Sequence, residues 1–209
     1  MHGKFMKWDG LIPRNDSVHL ESVFRQTEPL DSDALRKSKT RVFVALADVE
    51  SGEIVYKFLN PILDPVSLLM SSTTMPFFAK DHAIKRTRYF DANIMCAIPL
   101  RFVDALSSVE QTWVILTTPH GYRRQSWRWK AASWFVRDSR IKKMLRERAT
   151  VENKVLAEIE SRTDLIVIRP QEPLPIHWRS AGQEGLKQTL ELGRKAVRDV
   201  LKTHRCFAT

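Results

Sequence analysis

Cysteine is scarce in this sequence, and its scarcity excludes several kinds of site. The two cysteines, Cys96 and Cys206, lie far apart, and no cysteine or histidine stands at the spacing of metal ligands. The sequence therefore predicts neither a disulfide framework nor a zinc site. We expect two reduced structural thiols, no metal and no cofactor.

Long apolar runs are also absent. Nowhere do roughly 18 apolar residues follow one another, which is the length that a membrane-spanning helix needs. Asp9, Arg14 and Asp16 stand where a signal peptide would carry its apolar stretch. These absences predict an intracellular, cytoplasmic protein that does not span a membrane.

Glycine is scarce, with only seven in the chain. No two of them bracket a serine as Gly-x-Ser-x-Gly, the turn that presents the nucleophile in many serine hydrolases. A glycine-rich loop that could offer backbone N–H groups to an oxyanion is absent too. The sequence as it stands therefore predicts no serine nucleophile of this type.

What the sequence does contain is enough apolar residues for a folded core and one strongly basic segment. The 209 residues are 43% hydrophobic and 28% charged, which is typical of a compact α/β or α+β domain. The net charge is +10, and residues 123–148 hold ten Lys and Arg against two acidic residues. The basic character is therefore a local patch suited to an anionic surface.

Periodicity predicts a β-hairpin and a strand–helix–strand unit. Residues 40–49 and 53–59 are rich in β-forming residues and flank a short turn that contains Gly52, which favours a hairpin. Residues 113–117 and 165–168 are short apolar runs of the kind found in strands that are buried on both faces. Between them, from Ile141, apolar residues recur at helical spacing, so we expect two parallel strands joined by a helix.

The two ends of the chain differ in pattern. Residues 1–30 show no sustained period, which predicts an irregular lead-in. A last helix, with one apolar stripe, is expected to pack on the sheet and close the domain. The stripe consists of Leu186, Leu190, Gly193, Val197, Val200 and Leu201.

Four segments in order resemble the later part of a bacterial patatin-like phospholipase, a lipid acyl hydrolase. They are ALRKSKTRVFVALADVESGEIVY (34–56), SSTTMPFF (71–78), RYFDANIMCAIPL (88–100) and LTTPHGYRR (116–124). The resemblance covers roughly residues 30–205. It implies an α/β fold, a partial patatin-like three-layer sandwich that lacks the N-terminal part bearing the nucleophile. The implied organisation is a lead-in over 1–30, the later part of the patatin-like domain over 31–118, and a basic helical region with a strand and closing helix over 119–209.

The resemblance also implies a catalytic residue. RYFDANIMCAIPL is similar to the Asp-Gly-Gly or Asp-Gly-Ala signature of the family, which makes Asp91 the aspartate of a Ser–Asp dyad that accepts the serine proton. The alternative is that Asp91 only caps a turn after a strand. Ala92 and Asn93 stand where the family has small, mostly Gly residues. A positive φ at position 92 would strain the alanine by about 1 kcal/mol or more, whereas Asn93 would tolerate a left-handed conformation better than most residues.

A second candidate site is the basic aromatic segment, residues 121–148, in which aromatic rings alternate with cations. Such a composition suits a membrane interface, and it could also bind single-stranded nucleic acid. The alternative is that the rings belong to the core and the cations to a solvated helix face. The candidate membrane or anion-binding residues are Arg123, Arg124, Trp127, Arg128, Trp129 and Lys130.

Three functions follow as hypotheses. The first is a fragment or degenerate member of the patatin-like lipid acyl hydrolases, with a lipid or ester substrate and little activity of its own. The second is a non-catalytic peripheral membrane or lipid-binding protein, and the third is a basic nucleic-acid-binding module, for which no recognised motif is present. Because a sheet without its first strands exposes an apolar edge, we also expect self-association unless residues 1–30 cover that edge.

Overall fold

The fold was analysed in a computed structural model, which describes residues 6–9, 12–15, 21–27, 29–60, 64–75, 82–84, 87–96, 98–176 and 182–204. These residues form a mixed α/β structure that divides into two units. The first unit contains the described residues up to Pro99 together with Gln125–Glu152, and the second contains Leu100–Arg124 and the described residues from Asn153 onward. Cys206, Pro76 and the end of the SSTTMPFF segment lie outside the described residues.

The first unit is built on a four-stranded antiparallel sheet. Its strands are β3 (Phe43–Asp48), β4 (Glu53–Phe58), β5 (His82–Ile84) and β6 (Thr87–Asp91), in the order β4-β3-β6-β5. A separate two-stranded hairpin, β1 (Met6–Asp9) and β2 (Ile12–Asn15), precedes the sheet. This hairpin differs from the irregular lead-in that the sequence predicted for residues 1–30.

The hairpin of β3 and β4 confirms the sequence prediction. The Asp48 carboxylate accepts hydrogen bonds from the N–H groups of Glu50 and Ser51, which fixes the start of the turn. Gly52 completes the turn with a φ of 75°, a conformation that costs glycine little.

The helices of the first unit have recognisable start signals. Helix α1 (Ser32–Lys37) is capped by the Asp31 carboxylate, which accepts from the Ala34 N–H at 2.8 Å. Helix α2 (Pro65–Ser72) begins with a proline at its first position and is capped by Asp64, which accepts from the Ser67 N–H. A π-helical turn (Val23–Thr27) lies before α1, and a 3₁₀ helix (Ala92–Ile94) follows β6.

The sheet has an apolar cluster on each face, because alternate residues of a strand point to opposite sides. On one face, Ala47 of β3 and Phe90 of β6 pack with Ile94 and with apolar residues of a long helix, α5 (Ser139–Ser161), which begins in this unit. On the other face, a second cluster contains residues of β3, β6 and α2. Its buried members are Val44, Leu46, Leu59, Leu68 and Tyr89.

The second unit contains a parallel strand pair and two further helices. Strands β7 (Thr112–Ile115) and β8 (Leu165–Ile168) pair in parallel, and the long helix α5 lies between them in the chain, as predicted. Helices α3 (Leu100–Asp104) and α6 (Gln183–Thr203) complete the unit. Helix α4 (Ser126–Ser133) precedes α5 in the chain and belongs to the first unit.

For the second unit, one expectation was wrong and another was confirmed only in part. Strand β7 is not buried on both faces, since Ile115 is 75% exposed and Trp113 is also exposed. Helix α6 contacts β8, but most of its apolar stripe is exposed and Ala196 is its buried residue. The exposed stripe residues include Leu186, Leu190, Val197 and Leu201.

Candidate functional site

Asp91 is the last residue of β6 and lies beside a central strand of the sheet. It pairs with Leu46 of β3, and its N–H donates to the carbonyl oxygen of Thr74. Its carboxylate Oδ1 accepts the N–H of Asn93 at 2.8 Å, so the side chain caps the 3₁₀ helix that follows. Asp91 therefore caps the element that follows β6, which is the alternative role that the sequence suggested.

The environment of Asp91 changes the acidity of its carboxyl group. The side chain is half-buried, and burial raises the pKa of Asp91 above its ordinary value of 3.8. The hydrogen bond from the Asn93 N–H and the charge of Arg148 act in the opposite direction, but burial has the larger effect. The carboxylate is consequently a better proton acceptor than an exposed aspartate.

Ala92 carries no strain of the kind that a positive φ would cause. It is the first residue of the 3₁₀ helix, and residues in 3₁₀ helices have φ values of about −50 to −70°. The alanine in this position therefore fits the backbone without a glycine.

Arg148 of α5 is a buried cation next to the Asp91 loop, and only 2% of it is exposed. Its Nη2 donates to the side-chain oxygen of Asn93 at 2.6 Å, and its guanidinium carbon lies 3.8 Å from the centre of the Trp129 ring. Its Nε is 3.9 Å from Oε2 of Glu152, which is 7% exposed. Arg148 thus joins the Asp91 loop to helices α4 and α5.

Arg148 and Glu152 were missed in the sequence, although a signal was present. They are four residues apart, and the positions Leu145, Ala149 and Leu156 around them are buried. An oppositely charged i, i+4 pair within the apolar stripe of a helix indicates a buried ion pair.

The candidate residues that lie on helix α4 are divided between two faces of the helix. Trp127 is 65% exposed, and Arg128 and Lys130 are exposed as well. Trp129 points the other way, where it packs against the core cluster of the first unit and stacks on Arg148. The segment therefore contains both exposed and core tryptophans.

The chain continues from α4 into a second exposed aromatic pair. Trp134 is 77% exposed and Phe135 is 85% exposed. The sequence placed both rings within the basic aromatic segment, but composition did not indicate that they would be more exposed than Trp127.

Arg123 and Arg124 lie in the second unit, where they bind to the long helix. Asn153 accepts the Arg124 N–H at 2.7 Å, and Glu160 accepts from Nη2 of Arg123 at 2.8 Å. Glu160 also accepts the Gly121 N–H at 2.9 Å. These hydrogen bonds hold the loop after β7 against α5.

Glu160 in addition binds Arg169, which follows β8, through a 3.0 Å bond from Nη1. One carboxylate therefore holds the chain after both parallel strands. The hydrogen bond from Arg123 is the largest of the causes that lower the pKa of Glu160 to about 2.

Metal-ligand groups and membrane-spanning helices are both absent from the part of the chain that the structure describes. In it, no group of three His, Cys, Asp or Glu residues is placed to hold a metal ion. Nor does any helix within the described ranges have the length and apolar character needed to cross a membrane.

No family model, curated protein or solved structure matches this chain.

Proposed function

We propose that this chain carries the general base of a serine–aspartate lipid acyl hydrolase, with Asp91 as the base and the serine supplied by a segment outside this sequence. The observation that supports it best is the half-buried carboxylate of Asp91 at a strand end, with its pKa raised by burial. The resemblance of the four segments to patatin-like phospholipases gives the reaction type.

The contacts of Asp91 fit the role of a base. The Asn93 N–H binds Oδ1 and fixes the rotamer of the carboxylate. No described residue donates a hydrogen bond to Oδ2, so that oxygen is the one that would face a serine hydroxyl. A carboxylate held in this way is positioned to take one proton in a defined direction.

In the proposed reaction, Asp91 takes the proton of the serine hydroxyl as the serine oxygen forms a bond to the ester carbonyl carbon. The same proton then passes to the departing alcohol as the ester C–O bond breaks, which leaves an acyl-serine. Asp91 then takes a proton from water as the water oxygen forms a bond to the acyl carbon, and it passes that proton to the serine oxygen as the acyl–serine C–O bond breaks. This step releases the carboxylic acid and restores the serine. Asp91 is therefore unchanged at the end of each cycle.

The absence of a Gly-x-Ser-x-Gly turn gives a first expected result. Loss of the serine nucleophile costs hydrolases on the order of a millionfold in turnover, so the 209-residue chain alone should hydrolyse p-nitrophenyl butyrate no faster than buffer. Co-expression with the nucleophile-bearing half of a bacterial patatin-like phospholipase should produce hydrolysis, and Asp91→Asn should abolish it.

The matched control is Asp33→Asn, which makes the same chemical change at an exposed aspartate of α1. It should leave the rate of the reconstituted enzyme unchanged. Equal hydrolysis by the Asp91→Asn and Asp33→Asn proteins, with both folded, would contradict the role of Asp91. Hydrolysis by the wild-type chain alone that survives Asp91→Asn would contradict it as well.

A further inference from the structure

Among the residues of the first unit that the structure describes, the most exposed aromatic side chains lie within nine residues of the chain. Trp127, Trp134 and Phe135 are here called the aromatic ridge, and each is more than half exposed. Trp127 and Trp134 are seven residues apart across α4 and its C-cap, a spacing that places them on one helix face. Exposed rings grouped in this way indicate a contact surface.

The opposite face of α4 anchors the ridge. Trp129 packs on the core and on Arg148, and the buried Ser133 hydroxyl accepts a bond of 3.1 Å from Nε of Arg146. Val136, just after Phe135, packs against the same core cluster. The ridge is therefore held on a fixed element, so the ridge loses less conformational entropy when a partner binds.

Cations surround the ridge. Arg128, Lys130 and Arg137 are exposed, and none of them forms an ion pair with another described residue. By contrast, Arg140 and Arg88 in the same unit bind Glu50. The charge beside the ridge is thus available to an external anion.

We propose that the aromatic ridge inserts into the headgroup layer of an anionic bilayer while Arg128, Lys130 and Arg137 bind its phosphate groups. Indole rings suit this layer because they are apolar with one polar N–H, and cations near an anionic surface add attraction. The exposed rings lie on a helix and a turn, whereas single-stranded nucleic acid is bound along a groove with stacked bases. The binding requires neither Asp91 nor a nucleophile, so it goes beyond the proposed acyl hydrolase function.

The test is sedimentation of the full chain with vesicles of phosphatidylcholine containing 0 to about 40% phosphatidylglycerol. Binding should rise steeply with the anionic fraction, because the three cations act within a screening length of about 8 Å at physiological salt. Changing all three cations to glutamine should weaken binding roughly a hundredfold at low salt, since each contributes about fivefold.

The ridge is tested at high salt, where the electrostatic part is screened. Trp127→Ala with Trp134→Ala should lower the residual binding by about tenfold or more, because the apolar contribution persists in salt. Trp113→Ala, an exposed tryptophan of β7, is the matched control and should bind like the wild type. Thermal melts of all variants should coincide if the ridge is not part of the core.

Four results would overturn the proposal. They are absence of vesicle binding, equal binding to neutral and anionic vesicles, tighter binding to a single-stranded oligonucleotide at matched salt, and a dimer that the two tryptophan changes dissociate. The third would assign the surface to nucleic acid, and the fourth to a second copy of the chain. All four can be separated from a failure of the hydrolase proposal, because none of them depends on ester hydrolysis.

Discussion

Replacing Arg148 with methionine should lower the melting temperature by about 6–20 °C. Methionine has a similar length, but it removes the 2.6 Å bond to Asn93, the stacking on Trp129 and the charge opposite Glu152. Breaking a buried ion pair by removing one partner typically costs about 3–5 kcal/mol, because the other charge stays buried. Circular dichroism melts in parallel with the wild type measure the effect.

Two further variants identify the cause. Lys143→Met changes an exposed cation of the same helix and should shift the melting temperature little. Adding Glu152→Leu to Arg148→Met should recover part of the loss, since the buried carboxylate is then removed as well. A protein with Arg148→Met that melts like the Lys143→Met control would contradict a structural role for this pair.

Arg148 also acts on Asp91, and this effect has a definite sign. The guanidinium charge lowers the pKa of Asp91, partly offsetting the increase caused by burial. Its removal should therefore raise the pKa of Asp91 further, which carboxyl ¹³C chemical shifts over a pH titration would detect. Arg148→Lys keeps the charge and should move the pKa less than Arg148→Met does.

The elements that could be predicted from the sequence are those with a local cause. The hairpin of β3 and β4 follows from β-forming residues around a turn with Gly52, and α5 follows from its apolar period of three and four residues. The parallel pairing of β7 and β8 follows from the helix between them, because parallel strands need a long crossover. Each of these signals lies within one stretch of the chain.

The burial of β7 and α6 could not be predicted in the same way. An apolar run indicates a strand, but its exposure depends on what packs on each face, and β7 has β8 as its partner in a two-stranded sheet. The apolar stripe of α6 likewise gave the helix correctly while most of the stripe is exposed. Periodicity determines which residues share a face, and tertiary packing determines whether that face is covered.

The candidate sites show the same division. The sequence placed Asp91 after a strand, but the bond from Arg148 to Asn93 joins residues 55 positions apart and has no local signal. In the basic aromatic segment, composition could not show that Trp127 is exposed while Trp129 packs on the core. Residues two positions apart on a helix point to nearly opposite sides. The rotation of α4 about its own axis, which is set by packing on the core, determines that one tryptophan is exposed and the other half-buried.

Replacing Glu160 with glutamine should destabilise the protein by about 2–3 kcal/mol at neutral pH, a decrease of about 4–12 °C in melting temperature. The glutamine keeps one acceptor oxygen but loses the charge that binds Arg123, Arg169 and the Gly121 N–H together. The loss of the Glu160 charge should be most costly at Arg169, because its Nε and Nη2 are buried and have no acceptor within the described residues. Hydrogen exchange at the Gly121 N–H should also become faster.

The pH dependence of stability gives an independent check on Glu160. Its pKa is about 2 in the folded protein and 4.5 ordinarily, so the folded state favours the ionised form. The stabilisation is therefore complete above about pH 4.5 and is lost as the pH falls from 4.5 toward 2. Glutamine does not titrate, so the Glu160→Gln protein should lose less stability over this range than the wild type.

Glu147→Gln, at an exposed position of the same helix, is the matched control and should keep the acid sensitivity of the wild type. Urea melts at several pH values between 2 and 7 would give the three profiles. Parallel profiles for the wild type and the Glu160→Gln protein below pH 4.5 would show that the carboxylate does not hold the loop after β7. If the free energy of unfolding depends less on pH in the Glu160→Gln protein alone, that part of the acid sensitivity belongs to Glu160. The control supports this assignment because it removes a carboxyl group from the same helix and keeps the contacts to Arg123 and Arg169.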